Sequence, residues 1–375
     1  MAAGQDTGLR QSVTDKNGNR TSYTYDVLNR LTRAEERSSA GALLSSWAYS
    51  YDASSNRSSQ TVNGVTTSYT HNAADQLTAA GSMTFSYDGN GNELSSSAGR
   101  QWVYNAKDQA VSVTPPGGSA LSMSYAGTGQ FERVSAGSTT YTTSALGLSR
   151  ENLDGYVRDD AGLLLLRRTP GSGDHFYLLD GLGSVVGLTN SLGELVATYS
   201  YEPFGKLKSS TGTIANPYRW LGGLGVYHDT ATGLFKMGTR YYDPDLGRFT
   251  QVDPVEGGSA NAYDYAGQDP LNNVDLDGEV CIPCGIAIAV GVRVGIRVAP
   301  KAARFMERQW RAGRSGKDLI VSRGRTADGG RKWRISPTGH RANANAAKKP
   351  HWGRNLPHYH RRPGIRWHRP WEKRP

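Results

Sequence analysis

The sequence predicts a mainly β fold, in which stacked β-hairpins are followed by a small basic α+β domain. The composition favours many short strands and turns, since the 375 residues include 46 Gly and 20 Tyr and the mean hydropathy is −0.56. An aromatic motif also recurs along the first part of the chain, and basic residues concentrate in the last part. A chain of this length is expected to form two or more domains.

The charge of the chain is unevenly distributed. Residues 280–375 contain 23 Lys and Arg against 4 Asp and Glu, whereas residues 1–279 contain 20 against 29. The two parts therefore carry formal net charges of +19 and −9. A segment as basic as the second part is suited to bind a polyanion such as nucleic acid, and it is also attracted to the acidic part beside it.

The recurring motif is an alternating aromatic strand followed by a turn rich in Asn, Asp and Gly and by a second strand that bears Leu. One such hairpin cannot bury its own face, so successive copies are expected to stack into a long sheet. We expect the tyrosine rings to pack and the aspartates to cap turns. The copies are marked by Tyr25, Tyr51, Tyr69, Tyr87, Tyr104 and Tyr125.

These residues resemble the YD repeats of Rhs and Tc-toxin proteins, which implies a spiralling β-sheet that forms a hollow shell. The later motifs Tyr242-Asp243-Pro244, Gly247-Arg248-Phe249 and Asp253-Pro254 are similar to the Rhs-associated core that ends such arrays. The resemblance divides the chain into YD repeats (1–174), the core with a self-cleavage segment (175–279) and a toxin domain (280–375).

The resemblance also implies a polymorphic toxin that is secreted or delivered into target cells and has a cognate, acidic immunity protein. The first residues lack the charged and apolar regions of a signal peptide, so export would use secretion machinery that reads another part of a larger protein. The chain starts inside a repeat and has few strands for an enclosure, so we expect a fragment that lacks its N-terminal shell. Arg293 and Arg297 interrupt the apolar run Val280–Val298, which predicts a buried segment rather than a stable membrane span.

Two aspartates near residue 279 match a spacing that the core family uses for self-cleavage. That family often ends in two Asp-Pro-x-Gly elements 22 positions apart, and Asp253 and Asp275 keep this separation. Two residues differ from the pattern, because Glu256 replaces the first glycine and Leu276 replaces the second proline. The alternative interpretation is that these aspartates only form turns.

If the family mechanism applies, the resemblance assigns Asp253 and Asp275 to a catalytic pair and Asp264 to a supporting position. Peptide hydrolysis by carboxyl groups needs one to activate water and another to donate a proton, and proximity separates their pKa values. The resemblance places cleavage near the Glu279–Val280 bond.

The basic part is predicted to contain a helix over Pro300–Gly313 and a hairpin formed by Asp318–Gly324 and Arg331–Pro337. Five of the eight histidines lie there, in basic surroundings. Histidine and arginine can supply the base, the acid and the cation that a metal-independent ribonuclease needs. The candidate catalytic residues are His340, His358, His360, His368, Arg341 and Arg369.

No cofactor or metal is expected in this part. Its four acidic residues make carboxylate-held magnesium unfavourable, and Cys281 and Cys284 supply only half of a zinc site. Zinc bound by histidines such as His358 and His360 is a less favoured alternative. The last forty residues resemble small Rhs-borne effectors of polymorphic toxin type 17, which implies a ribonuclease.

Two other functional classes remain open. ADP-ribosyl transfer occurs on related shells, but it needs a Glu together with an Arg and a Ser or Thr strand, and this part has few glutamates. A non-enzymatic cell-surface YD-repeat protein could instead carry the basic part as a nucleic-acid-binding arm.

Overall fold

The computed structural model describes residues 8–127, 129–255 and 261–279, together with the backbone of four short strands farther along the chain. The chain divides into two compact units, Met1–Ile296 and Arg297–Pro375. The mainly β prediction is confirmed. The first unit is dominated by an antiparallel meander of 21 strands, in which each strand pairs with the next along the chain.

The strands of the meander are β1 Ser12–Thr14, β2 Arg20–Tyr25, β3 Leu31–Arg37, β4 Leu43–Tyr51, β5 Arg57–Val62, β6 Val65–His71, β7 Leu77–Ala80, β8 Met83–Tyr87, β9 Glu93–Ser96, β10 Gln101–Tyr104, β11 Ala110–Thr114, β12 Leu121–Tyr125, β13 Arg133–Ala136, β14 Thr139–Ser144, β15 Gly147–Glu151, β16 Asp154–Arg158, β17 Leu164–Thr169, β18 Gly173–Leu179, β19 Val185–Thr189, β20 Leu195–Tyr201 and β21 Leu207–Thr211. The strand β21 returns to the start of the meander, where the Lys208 ammonium contacts Glu36 and lies over the Trp47 ring. The sheet therefore curls upon itself.

Turns between repeat strands are closed by Asp or Asn side chains, as the motif predicts. In the first copy, Oδ1 of Asp26 accepts the N–H groups of Leu28 and Arg30 at 2.9 and 3.0 Å. The same bonding pattern recurs at Asp52 and Asp88. Each such side chain accepts backbone N–H groups of the turn that do not bond to a neighbouring strand. The turn can therefore form from residues that are close in the chain.

The tyrosine that ends the first strand of a repeat ties that repeat to an earlier one. A β-bulge precedes Tyr25 and Tyr51 at corresponding positions. The Tyr51 hydroxyl donates to the Leu31 carbonyl at 2.6 Å, twenty residues back in the chain. The bulge aims the ring inward, so the tyrosine both fills the interior and closes a buried hydrogen bond.

Two details of the repeat differ from the sequence prediction. The position equivalent to Tyr25 in the third copy is His71 rather than Tyr69, because the bulge falls just before His71 and Asn72 closes the turn. In the next copy the buried position at the start of the second strand is occupied by Glu93, while Leu94 is 36% exposed. Glu93 can be buried there because it pairs with Arg100 at 2.8 Å.

Residues 217–279, called here the core segment, pack against strands and turns of the meander. They contain the four-stranded sheet β22 Tyr227–Asp229, β23 Leu234–Met237, β24 Arg240–Asp243 and β25 Arg248–Phe249, two 3₁₀ turns at Gly222–Leu224 and Ala266–Gln268, and strand β26 Asn273–Val274, which pairs with β27 Ile282–Pro283. A shared aromatic cluster holds the core segment to the first strands. Its buried rings are Tyr23, Trp47, Tyr49, Phe204, Trp220, Phe235, Tyr242, Phe249 and Tyr265.

Polar side chains of the core segment also bond to the turns of the repeats. Arg248 donates to the Asp75 carbonyl at 2.8 Å, and the Tyr263 hydroxyl donates to the Gly91 carbonyl at 2.7 Å. Gln251 donates to the Asp108 carbonyl at 3.2 Å. These bonds span more than 140 residues, so they fix the core segment, and the aspartates on it, in one position.

In the second unit the described backbone forms a three-stranded sheet. Strand β28 Leu319–Ile320 pairs with β29 Arg334–Ser336, which pairs with β30 His358–His360. The β28–β29 pair falls inside the two segments of the predicted hairpin, whereas β30 lies outside them. The predicted helix Pro300–Gly313 and most of the apolar run Val280–Val298 lie outside the described residues. Among the residues that were described, no helix is long and apolar enough to cross a membrane.

Candidate self-cleavage site

A buried arginine stands at the centre of the candidate site. Arg240 begins β24, all of whose residues are buried, and it is 1% exposed. Its guanidinium lies over the Phe249 ring at 3.7 Å, and Nη1 donates to the Ala262 carbonyl at 3.1 Å. The sequence motifs did not single out this residue, although an arginine that directly precedes a Tyr-Tyr pair could have indicated a buried partner.

The structure brings Asp253 and Asp275 together on this guanidinium. The Nη2 atom of Arg240 lies 3.2 Å from Oδ2 of Asp253 and 3.0 Å from Oδ2 of Asp275. Side-chain exposure is 5% for Asp253 and 4% for Asp275. The two aspartates that keep the 22-residue spacing are thus brought onto one cation, out of water.

The third predicted aspartate, Asp264, lies in the same buried region but in a different role. It is 4% exposed, and its backbone forms a bridge with Arg248 beside β25. Its charge favours the cationic form of Arg240, less strongly than the charges of Asp253 and Asp275 do. The geometry therefore gives Asp264 an electrostatic influence on the site through Arg240.

The segment after Asp275 is held against the start of β24. The backbone N–H of Thr239 donates to the Asp277 carbonyl at 2.8 Å, and its hydroxyl donates to the carbonyls of Asp277 and Gly278 at 3.1 and 3.0 Å. Gly238, at φ +46°, makes this contact possible, because a Cβ atom there would lie 2.0 Å from the Asp277 oxygen. The segment leading to the expected cleavage position is thus clamped.

The carboxyl of Asp275 is turned toward the same segment. Its Oδ1 accepts the N–H groups of Gly278 and Glu279 at 2.8 and 3.2 Å. Burial, reinforced by Asp277, raises the pKa of Asp275 to about 6 against the opposing effects of Arg240 and the Glu279 N–H. A carboxyl with that pKa can be protonated near neutral pH and can act as an acid.

Burial also lowers the pKa of Arg240, and the three carboxylates offset only part of that effect. Leu276, which replaces the expected proline, packs against the aromatic cluster of the core segment, so a side chain rather than a proline ring holds this position. The other departure, Glu256, lies outside the described residues.

A cavity of about 290 Å³ adjoins the clamped segment on the side of β23. Lys236, Leu276 and Asp277 lie in its wall, together with tyrosines. The Lys236 ammonium contacts the Gly238 carbonyl, and burial, reinforced by the nearby Arg133, lowers its pKa well below the ordinary value. The cavity is large enough to hold several water molecules beside the cleavage segment.

The candidate residues of the basic part are only partly located. His358 and His360 lie in β30, where His358 pairs with Ser336 and His360 pairs with Arg334. His340, Arg341, His368 and Arg369 lie outside the described residues, as do Cys281 and Cys284. Within the described part of the chain, no group of three or more His, Cys, Asp or Glu side chains could hold a metal ion.

Comparison with known proteins relates this architecture to large repeat proteins. A family model described as the teneurin YD-shell matches residues 7–270. The tRNA3(Ser)-specific nuclease WapA of Bacillus spizizenii is 29% identical over 278 residues, which span 68% of this chain and 12% of that protein. Double-stranded DNA deaminase toxin A of Burkholderia cenocepacia is 36% identical over 104 residues, 27% of this chain and 7% of that protein.

A further relative is described as a surface protein rather than as a nuclease or a toxin. Salivary gland surface protein 1 of Aedes aegypti is 34% identical over 150 residues, 40% of this chain and 4% of that protein. The chain thus spans no more than 12% of the length of any of these three relatives. The matches confirm the resemblance to Rhs-type YD-repeat toxins that the tyrosine and aspartate motifs predicted.

Proposed function

Because this chain belongs to the teneurin YD-shell family, we propose that residues 8–279 are part of a carrier shell that frees a basic toxin domain by cutting its own chain. The observation that carries this proposal is the convergence of Asp253 and Asp275 on Arg240, 3.2 and 3.0 Å from one guanidinium nitrogen. The toxin domain extends from residue 280, and its target is nucleic acid.

Cleavage by this pair divides the roles of the two carboxyl groups. Asp253 in its ionised form removes a proton from a water molecule, which attacks the carbonyl carbon of the scissile peptide. Asp275 donates its proton to the leaving nitrogen, so that a carboxyl and an amine replace the amide. The clamp that Thr239 forms on Asp277 and Gly278 supports cleavage just beyond them, near Glu279–Val280.

The cleavage proposal is tested by expressing the intact chain and measuring the masses of its products under denaturing conditions. The expected product is a basic fragment of about 96 residues that starts near Val280. Asp253→Asn and Asp275→Asn should each abolish the fragment. Asp245→Asn is the matched control, because that side chain is 65% exposed and lies away from Arg240. A single full-length species from the unaltered chain would refute the proposal.

RNA is the favoured target of the released domain, which acts as a metal-independent ribonuclease. The net charge of +19 suits a polyanion, and the WapA relative carries the description of a tRNA nuclease. The backbone register of β29 and β30 pairs Arg334 with His360 and Ser336 with His358, so a cation and two histidines, residue types that can transfer protons, belong to adjacent strands. His340, His368, Arg341 and Arg369 remain candidates.

The ribonuclease proposal is tested by incubating the released fragment with tRNA, ribosomal RNA and double-stranded DNA, each with and without chelator. We expect RNA fragments with 2′,3′-cyclic ends that form equally in EDTA. His358→Asn and His360→Asn variants should reduce the rate by two or more orders of magnitude, as expected for lost acid–base catalysis. Inhibition by EDTA would indicate the zinc alternative, deaminated DNA would indicate a different chemistry, and ADP-ribosylated products formed from NAD would indicate a transferase.

The same proposal covers the storage and delivery of the toxin domain and the protection of the cell that produces it. The acidic shell and the basic domain attract each other, which favours storage before release. We propose that the toxin reaches target cells through secretion machinery or a longer shell, and that an acidic immunity protein binds its basic face. Co-expression of such an immunity protein should restore growth of cells that make the free domain.

The similarity to a salivary gland surface protein favours one alternative, a non-enzymatic cell-surface repeat protein with a nucleic-acid-binding arm. The two functions are distinguished by the product of the RNA assay. Binding of RNA without any cleaved or modified product, together with normal growth of the producing cell, would favour the surface protein.

A further inference from the structure

A glutamine of the repeats, Gln130, reaches into the core segment beside the candidate site. It lies in the connection between β12 and β13 and is 5% exposed. Its Nε2 atom donates to the Thr239 carbonyl at 2.9 Å and to Oε1 of Gln251 at 2.7 Å, while its Oε1 accepts the N–H of Ala110. Both protons and the oxygen of this buried amide are therefore used.

The two partners of Gln130 in the core segment belong to different arms of the candidate site. Thr239 forms the clamp on the cleavage segment and directly precedes Arg240. Gln251 lies two residues before Asp253, the carboxylate to which the proposed function assigns the base. One side chain from the repeats thus connects the clamp and the buried cation to the segment that carries the base.

The hydrogen bonds continue from Gln251 into the turns of the repeats. Its Nε2 atom donates to the Asp108 carbonyl at 3.2 Å and lies 3.3 Å from Oδ1 of Asn92. Asn92 is 4% exposed and donates to Oδ1 of Asp108 at 3.0 Å and to Oδ2 of Asp88 at 2.9 Å. The turns after β8 and β10 therefore hold the same glutamine that accepts a hydrogen bond from Gln130.

Backbone groups orient the two glutamine amides of this network. The N–H of Ala110 can only donate and the Thr239 carbonyl can only accept, so a single orientation of the Gln130 amide satisfies both. That orientation leaves one N–H for the Gln251 oxygen. An apolar side chain at position 130 would remove a donor from the Thr239 carbonyl and an acceptor from the Ala110 N–H, and burial makes such losses costly.

We propose that Gln130 is a positioning residue for self-cleavage, which holds Thr239 and Gln251 in register so that the site is complete only when the repeat strands β11–β13 have packed on the core segment. This inference rests on the proposed function. A buried amide network keeps one arrangement because every alternative loses hydrogen bonds. The consequence is an order of events, in which a chain whose repeats have not yet folded keeps its basic domain attached.

The inference is tested by following cleavage of the full chain after cell-free synthesis. Methionine is similar to glutamine in length but cannot donate to the Thr239 carbonyl. Gln130→Met should therefore slow the appearance of the basic fragment by about a hundredfold, as a displacement of about 1 Å in a catalytic site can. Tyr201→Phe is the control, because it removes a hydrogen bond of 2.7 Å to the Val185 carbonyl, between β20 and β19. It should leave the rate within about twofold of the unaltered chain.

A double variant separates positioning from a general loss of stability. Thr239→Val keeps the backbone N–H that donates to Asp277 but removes the hydroxyl of the clamp, so it should slow cleavage by itself. If Gln130 acts through the clamp, the double variant should cleave no more than about threefold more slowly than the slower single variant. Losses that multiply would show independent effects and overturn the inference, as would an unaltered rate for Gln130→Met.

If the unaltered chain does not cleave at all, the proposed self-cleavage is wrong, and the link between Gln130 and the clamp is decided by amide exchange. The Thr239 N–H donates to the Asp277 carbonyl at 2.8 Å, so its exchange with solvent reports on the clamp. In the full chain with Asp253→Asn, which blocks cleavage, Gln130→Met should speed this exchange by about tenfold or more, and Tyr201→Phe should not. Equal exchange rates in the two variants would overturn the inference independently of any cleavage assay.

Discussion

The Nη2 atom of Arg240 lies 3.0 Å from Oδ2 of Asp275, and both side chains are almost completely buried, at 2% and 4% exposure. The two residues are 35 positions apart in the chain. The free energy of unfolding depends strongly on each member of a buried ion pair, because removal of one partner leaves an uncompensated charge out of water.

Replacing Arg240 with Met should therefore destabilise the first unit by about 3–5 kcal/mol at pH 7. The loss should be smaller at pH 5, since Asp275, whose pKa burial raises to about 6, can then take up a proton and lose its charge. Urea unfolding at the two pH values measures both effects. Arg168→Met is the control: that side chain is 67% exposed, and its pair with Asp174 should contribute less than about 1 kcal/mol. Equal losses for both variants would contradict the buried ion-pair account.

Asp269 should make the fold less stable as the pH rises. Burial raises its pKa from 3.8 to about 6, so the folded state binds a proton more tightly than the unfolded state does. Stability is therefore lost between about pH 4 and pH 6. Asp269→Asn removes this penalty and keeps an acceptor for the Asn272 amide, which lies 2.8 Å away. We expect a gain of about 1–3 kcal/mol at pH 7 that disappears at pH 4, measured by urea unfolding. A gain of equal size at both pH values would mean that ionisation of Asp269 is not its cause.

Gly238→Ala should displace the clamped segment. The added Cβ would lie 2.0 Å from the Asp277 oxygen, so the bonds from Thr239 must break. We expect the melting temperature to fall by several degrees and self-cleavage to stop. Gly267→Ala is matched in backbone strain, at φ +64°, but no atom lies within 4 Å of its added Cβ. The control should lose about 1 kcal/mol and still cleave, and loss of cleavage in both variants would argue against the clamp.

Binding of the basic domain to RNA should be strongly salt-dependent. A protein that neutralises phosphates releases counterions, so the affinity falls linearly on logarithmic axes as salt increases. Arg341→Gln and Arg369→Gln should each reduce that slope by about 0.7 if each arginine contacts one phosphate of single-stranded RNA. Fluorescence anisotropy between 50 and 200 mM salt, roughly the range over which such binding weakens, measures the slope. Unchanged slopes would place these two residues away from the RNA.

The sequence by itself determined the local structure of the repeats. The Asp26 and Asp52 turns need only residues two and four positions away, so the hairpins could be predicted from one repeat. Charge segregation and the 22-residue spacing of Asp253 and Asp275 are likewise visible without a structure. The roles of His340, His358, His360 and His368 remain predictions.

The tertiary structure decided which of these groups meet. Arg240 reaches Asp253 and Asp275 only because β24 lies in the core segment, and the core segment is held by bonds to repeat turns more than 140 residues away. The periodicity of the sequence predicts on which face of the sheet each side chain of a strand lies. It does not record which distant strand packs against that face, because that contact is selected by burial summed over the whole sheet.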